Sequence, residues 1–125
     1  LHDVGVLILA ARMPEDFEQI QMFVEAGAVR SEAERAVLGV DHAEIAGYLL
    51  ALWGLPASII DAVVAHVSFD PSEVGGLDVR SAVGIANVLA RELEGTAPAQ
   101  CPAPVDERWN LWRAIARAVP HEEAA

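Results

Sequence analysis

Lysine is missing from this chain altogether: all eight basic residues are arginine, set against nineteen acidic ones for a formal net charge of -11. A surface of that sign repels a phosphate backbone and releases few counterions, so nucleic acid is not an expected partner. Cysteine is almost missing too. Cys101, in a Pro-rich stretch, has no second cysteine with which to form an internal disulfide, and no redox role is expected of it. Long apolar runs are lacking: a stretch such as Val6 to Ala11 falls far short of the ~20 residues that a membrane-spanning helix needs. The start of the sequence carries no secretory leader, and the simplest expectation is a cytoplasmic protein without membrane contact. There is no internal repeat and no two-residue hairpin signal between alternating strands, which leaves little basis for a β architecture.

What is present is 125 residues, 54% of them apolar, enough for one buried core. The punctuation is helical. Pro14 suits the first turn of a helix running towards Ala28, with Phe17, Ile20, Val24 and Phe23 as its apolar stripe and Glu15, Asp16 and Glu18 at its amide end. Ser31 with Glu34 reads as a capping box for a short helix ending at Gly39, and Asp41 with Glu44 as another. The second box opens a helix with Ile45, Leu49, Leu52 and Trp53 at helical spacing, closed by Gly54. Pro56 then starts a helix carrying Ile59, Ile60, Val63, Val64 and Val67. Asp70-Pro71-Ser72-Glu73 reads as a cap, a first helical proline and a capping-box acid. A long helix follows, with Val79, Val83, Ala86, Leu89 and Leu93, beginning on one side or the other of Gly75-Gly76. Residues 96–104 are rich in Pro and Ala and form a connector. Beyond them, residues 105–120 hold a packing helix with Trp109, Trp112, Ala116 and Val119 on one face, and the chain is expected to fray after Pro120. The expected fold is all-α, with five to seven helices.

The residues from which a chemical site would be assembled are His2, Asp3, His42 and His66. Adjacent imidazole and carboxylate groups chelate a divalent ion and suit phosphoester hydrolysis. A bland account stands beside this one. His42 occupies the first turn of its helix, where exposure to water is usual, and His66 falls late in its helix, where an imidazole interacts with the carbonyl end.

The opening Leu1-His2-Asp3-Val4-Gly5 resembles the signature of the HD superfamily of metal-dependent phosphohydrolases. The run from Leu38 to Leu50, Trp53-Gly54-Leu55-Pro56, and Ala62-Val63-Val64-Ala65-His66 resemble its HDOD branch more closely, over roughly residues 1–95. The resemblance implies an HD-domain-like helical bundle of the kind used in bacterial signalling proteins, often beside a receiver or other sensory and output modules. It implies that His2, Asp3, His42 and His66, with Asn87, occupy metal-ligand positions, and that His2 and Asp3 are the catalytic pair of any active form. It also brings departures. Val67 follows His66 where many relatives have a second histidine, and Asn87 stands where catalytic relatives have a ligand aspartate. Val6 replaces a lysine common in active cyclic-dinucleotide phosphodiesterases, and their Gly-Tyr-Pro signature is missing. Asparagine offers a neutral oxygen where a hard cation prefers an anionic one. HDOD domains carry further helices before the dyad, so residues 1–95 are expected to be the C-terminal part of an HDOD module.

The function expected from this pattern is a non-catalytic signal-transduction domain, acting through contacts with other signalling domains or proteins, with Trp53, Trp109 and Trp112 as candidate contact residues and no cofactor. Two alternatives differ in class. One is a metal-dependent phosphohydrolase or cyclic-nucleotide phosphodiesterase using Mn, Fe or Mg. The other is a helical oligomerisation module, pairing exposed apolar faces in a homodimer.

Overall fold

The computed structural model describes residues 1–96 and 107–118. Most of the expected connector, Cys101, Val119 and the terminal residues that follow lie outside the described residues. Among the described residues all regular structure is helical, as expected: α1 (Val4–Arg12), α2 (Pro14–Glu25), α3 (Arg30–Leu38), α4 (His42–Leu52), α5 (Ala57–Ala65), α6 (Val79–Glu94) and α7 (Glu107–Ala118), with 3-10 turns at His66–Ser68 and Pro71–Glu73. The chain divides into two units, Leu1–Ser68 and Phe69–Ala125.

In the first unit, local chemistry sets the helix ends. Pro14 sits at the start of α2 and disfavours helical geometry in the residue before it, so α1 stops at Arg12 and Met13 adopts φ -134°, ψ 61°. Gly39 closes α3 in the left-handed region at φ 79°. Asp41 caps α4 in a full capping box: it accepts from the Glu44 backbone N–H at 3.0 Å, and Glu44 accepts from the Asp41 backbone N–H at 3.0 Å. Asp41, wholly buried, also takes an ion pair from Arg35, which ties α3 to the start of α4.

Two sequence expectations are corrected here. Ser31 and Glu34 do not cap α3: its N-cap is Val29, with no side-chain cap bond, and Glu34 is buried with its carboxylate on α4. The docking of α3 on α4 overrides a local signal that fits the pattern equally well. On α4, the buried face is Ala43, Ala46, Gly47 and Leu50, whereas Leu52 and Trp53 are exposed. This helix is apolar on every side, so the small residues, which allow close approach, decide which face goes inward. Ala46, Leu50 and Val63 form the core, with Val4, Leu55 and Ile60 packed against it.

Close approach is tightest at two glycines. A Cβ on Gly47 would meet the Val64 side chain at 2.4 Å, where α5 lies on α4. A Cβ on Gly5 would meet the backbone carbonyl oxygen of His42 at 1.9 Å. Helix α1 therefore touches α4 backbone to backbone, two residues beyond Asp3 and at His42 itself.

In the second unit, Asp70 accepts from the Ser72 backbone N–H (2.8 Å) and hydroxyl (2.7 Å), but the helix it caps closes after one 3-10 turn ahead of Gly75-Gly76. Helix α6 begins beyond the glycines, capped by Asp78 and Ser81. Its buried stripe is Ser81, Gly84, Ile85 and Leu89. Val79 and Leu93, apolar residues of the same helix, are exposed, because α6 is covered along a narrower face centred on Ile85 and Leu89. Ile85 and Leu89 meet Trp109 of α7, with Phe69, Val74, Val88, Trp112 and Ala116 around them. Trp109 is 1% exposed, so its burial leaves no face for a partner; Trp112 is half-buried. Arg113 of α7 forms a two-pronged bond to Glu92 of α6, at 2.9 and 3.1 Å.

Two outcomes follow from this packing. Gly5→Ala forces the α1 and α4 backbones apart and is expected to lower stability by about 1–3 kcal/mol, measured as a reduced denaturant midpoint. The Arg113 hydrogen bonds hold the Glu92 carboxyl below its ordinary value of 4.5. A folded-state pKa below the unfolded one gives stability that is complete above the ordinary carboxylate range and lost as pH falls from there through the lower folded-state value. Acid should therefore weaken α6–α7 packing by up to about 1 kcal/mol, and Glu92→Gln should remove that part of the pH dependence, as followed by tryptophan fluorescence.

Candidate metal centre

Three of the four sequence-identified residues lie at helix ends in the first unit, and His2 immediately precedes one of them. Asp3 is the N-cap of α1, His42 is the first residue of α4, and His66 ends α5. An aspartate at an N-cap ordinarily bonds the helix amides. Asp3 makes no such bond. Its carboxylate turns instead to the imidazoles: Oδ2 lies 3.2 Å from His2 Nε2, and Oδ1 lies 3.4 Å from His66 Nε2 and 3.6 Å from His42 Nε2. The two buried imidazoles face each other, Nε2 to Nε2, at 3.3 Å. His2 adds a ring edge against His66, with centroids 4.8 Å apart.

The far side of each buried ring decides what its near side offers. His66 Nδ1 lies 2.5 Å from the carbonyl oxygen of Val63, which only accepts, so Nδ1 carries the hydrogen. His42 Nδ1 lies 2.6 Å from Glu34 Oε2, an oxygen that also accepts the His42 backbone N–H at 2.8 Å. Nδ1 of His42 is thus the protonated nitrogen as well. In the neutral rings both Nε2 atoms then present lone pairs, to each other and to the Asp3 carboxylate. Three electron-pair donors meet with no hydrogen between them, an arrangement that a cation stabilises and its removal destabilises.

The donor set fits a metal ion. Edges of 3.3, 3.4 and 3.6 Å enclose a point about 2.0 Å from all three atoms, the length of a first-row metal bond to imidazole or carboxylate. Each histidine is backed through its other nitrogen by a carboxylate or a carbonyl, as metal-ligating histidines are. Two nitrogens and one oxygen favour Mn, Fe or Zn over Mg, which prefers an all-oxygen shell. His42 and His66 are nearly closed to solvent, but the Asp3 side chain is 58% exposed, so the cluster opens on the Asp3 side. His2, Asp3 and His66 also place ligand atoms within 4.8 Å of one another, a second grouping that shares Asp3 and His66 with the first. A proton is the simplest competing cation. Hydrogen bonding to His2, and then to His66, holds the Asp3 carboxyl far below the usual carboxylate range, against a smaller opposing effect of burial, so Asp3 stays anionic.

His42 departs from the bland sequence expectation of an exposed first-turn residue: it is 6% exposed. Late placement of His66 against a helix carbonyl is borne out by its bond to Val63, although the same ring also faces the cluster. Asn87 lies on α6, in the second unit. Sequence reasoning missed Glu34, whose spacing from Ser31 disguised it as a capping residue. Nothing local marks it as the partner of a histidine eight positions later.

The model of the HDOD domain family matches residues 1–69 of the chain, a span that contains α1 to α5 and the whole cluster. No curated protein and no solved structure gives a match. With more than half of its length matched, the chain belongs to the HDOD domain family.

Proposed function

We propose that this chain is a signalling-type HDOD domain that works through contacts with other domains or proteins, and that its histidine–aspartate cluster binds one divalent transition-metal ion rather than the pair used in two-metal phosphoester hydrolysis. The observation that carries the reading is the convergence of His42 Nε2, His66 Nε2 and Asp3 Oδ1 on a single point. Two-metal sites hold their ions about 3.5–4 Å apart and need a ligand set for each. Around Asp3 Oδ2, the oxygen turned away from that point, His2 is the one neighbour described at bonding range in the first unit. His42, His66 and Asp3 would hold the ion, and when bound it would supply a fixed positive charge that joins the ends of α1, α4 and α5. Exposed Tyr48, Leu52 and Trp53, at the C-terminal end of α4, support the contact reading.

The phosphohydrolase reading keeps one specific observation in its favour, the exposed side of Asp3, through which a phosphoester would reach the cluster. In that case the metal would act as a Lewis acid, with His2 and Asp3 at its open edge.

Metal analysis and a hydrolysis assay on the same protein separate the readings. After incubation with Mn, Fe or Zn and removal of excess, one equivalent per chain is expected, lost in His66→Ala, with no hydrolysis of bis(p-nitrophenyl) phosphate above that given by the free ion. Two equivalents accompanied by turnover that disappears in Asp3→Asn would transfer the assignment to a phosphohydrolase.

A further inference from the structure

We propose that Glu34 is the positioning residue of this cluster: its buried carboxylate fixes the His42 ring with the Nε2 lone pair facing Asp3 and His66, and supplies the negative charge behind it that favours a cation in front. The metal-affinity part of this inference rests on the one-ion reading above; the part concerning ring orientation does not.

Glu34 is 0% exposed, a rare setting for a glutamate. A buried carboxylate is costly unless charge and hydrogen bonds compensate it. The hydrogen bonds recorded for Glu34 both come from His42, from the backbone N–H at 2.8 Å and from Nδ1 at 2.6 Å, and both fall on Oε2. Oε1 is buried with no hydrogen-bond partner among the described residues. The adjacent cation on α3, Arg35, is committed to Asp41. The interior of the first unit thus holds an anion whose described contacts lead through one imidazole to the point where the other ring and Asp3 converge. A purely structural carboxylate would gain from sharing its two oxygens among several donors. Concentrating both bonds on His42 instead holds that residue at its main chain and at its ring, so neither translation nor a ring flip is free.

Two variants of the full chain separate the components. Glu34→Gln keeps an oxygen acceptor of the same reach without the charge, and Glu34→Leu removes both. Nitrogen-15 spectra of the histidine rings in metal-free protein, at a pH where His42 is neutral, report which nitrogen bears the hydrogen, and calorimetric titration with zinc reports affinity. The wild type and Glu34→Gln should show His42 protonated on Nδ1, with zinc bound about 10–100-fold more weakly by the glutamine variant. Glu34→Leu should lose the Nδ1 preference. Circular dichroism should show helical content retained in Glu34→Gln, which keeps the test valid if the leucine variant fails to fold. The assignment is overturned if wild-type His42 carries its hydrogen on Nε2, or if Glu34→Gln binds zinc as tightly as the wild type. Absence of zinc uptake by the wild type would defeat the one-ion reading by itself, and the ring signature would then decide the role of Glu34.

Discussion

The contact between Gly5 and the His42 carbonyl governs the geometry of the first unit. Only a residue without a side chain lets the α1 backbone come this near to the start of α4. Because Asp3 lies two residues before Gly5, the approach that closes the helix interface also delivers a carboxylate to the histidines. Gly47 performs the corresponding service between α4 and α5, bringing the end of α5, and with it His66, towards the same helix. The cluster is therefore a consequence of how the helices pack, with rigid elements meeting at the ends that bear the polar groups.

Placing the site at helix ends settles an energetic difficulty. Buried polar groups inside a helical bundle are expensive, and helix termini already carry unpaired amides and carbonyls that need partners. His66 satisfies a carbonyl of α5, and Glu34 satisfies the first amide of α4 while also holding a ring nitrogen. Each buried imidazole thus spends one face on a backbone group or its neighbour and keeps the other for the cluster. What this leaves uncompensated is a set of lone pairs and negative charges, Glu34 behind and Asp3 in front, with the two rings between them. The ensemble is organised for a positive charge at its centre.

The sequence made the punctuation legible and the packing much less so. Asp41 and Glu44 were readable because a capping box is closed within four residues, and Gly39 and Gly54 because their positive φ values, 79° and 73°, favour glycine. Trp109 and Trp112 revealed the inner side of α7 through their spacing. The inward face of α4 was not recoverable from hydropathy, since Tyr48, Leu49, Leu52 and Trp53 outweigh the alanines and the glycine that actually lie inside. Glu34 was misread because Ser31-Glu32-Ala33-Glu34 satisfies a local rule, and only the docking of α3 on α4 shows which partner wins. The dyad, His42 and His66 were recognisable as candidates, through a resemblance in their surrounding residues. That Asp3 declines its ordinary capping bond is a tertiary fact with no sequence signature.

Long-range charge adds a last constraint on what this cluster can do. The chain carries a net charge of -11. A field of that sign concentrates cations near the surface and depletes anions, with an influence that fades over about 8 Å at physiological ionic strength. A divalent metal ion is thus drawn towards the exposed side of Asp3, while a phosphoester approaching the same opening is repelled. Enzymes that process phosphorylated substrates commonly offset such repulsion with arginine or lysine beside the metal. In the first unit the described ion pairs give the cluster no such cation: Arg35 is held by Asp41, and Arg30 bonds Gln21. The net negative charge of the chain and the convergence of His42, His66 and Asp3 on one point are the two supports of the cation-binding reading proposed above.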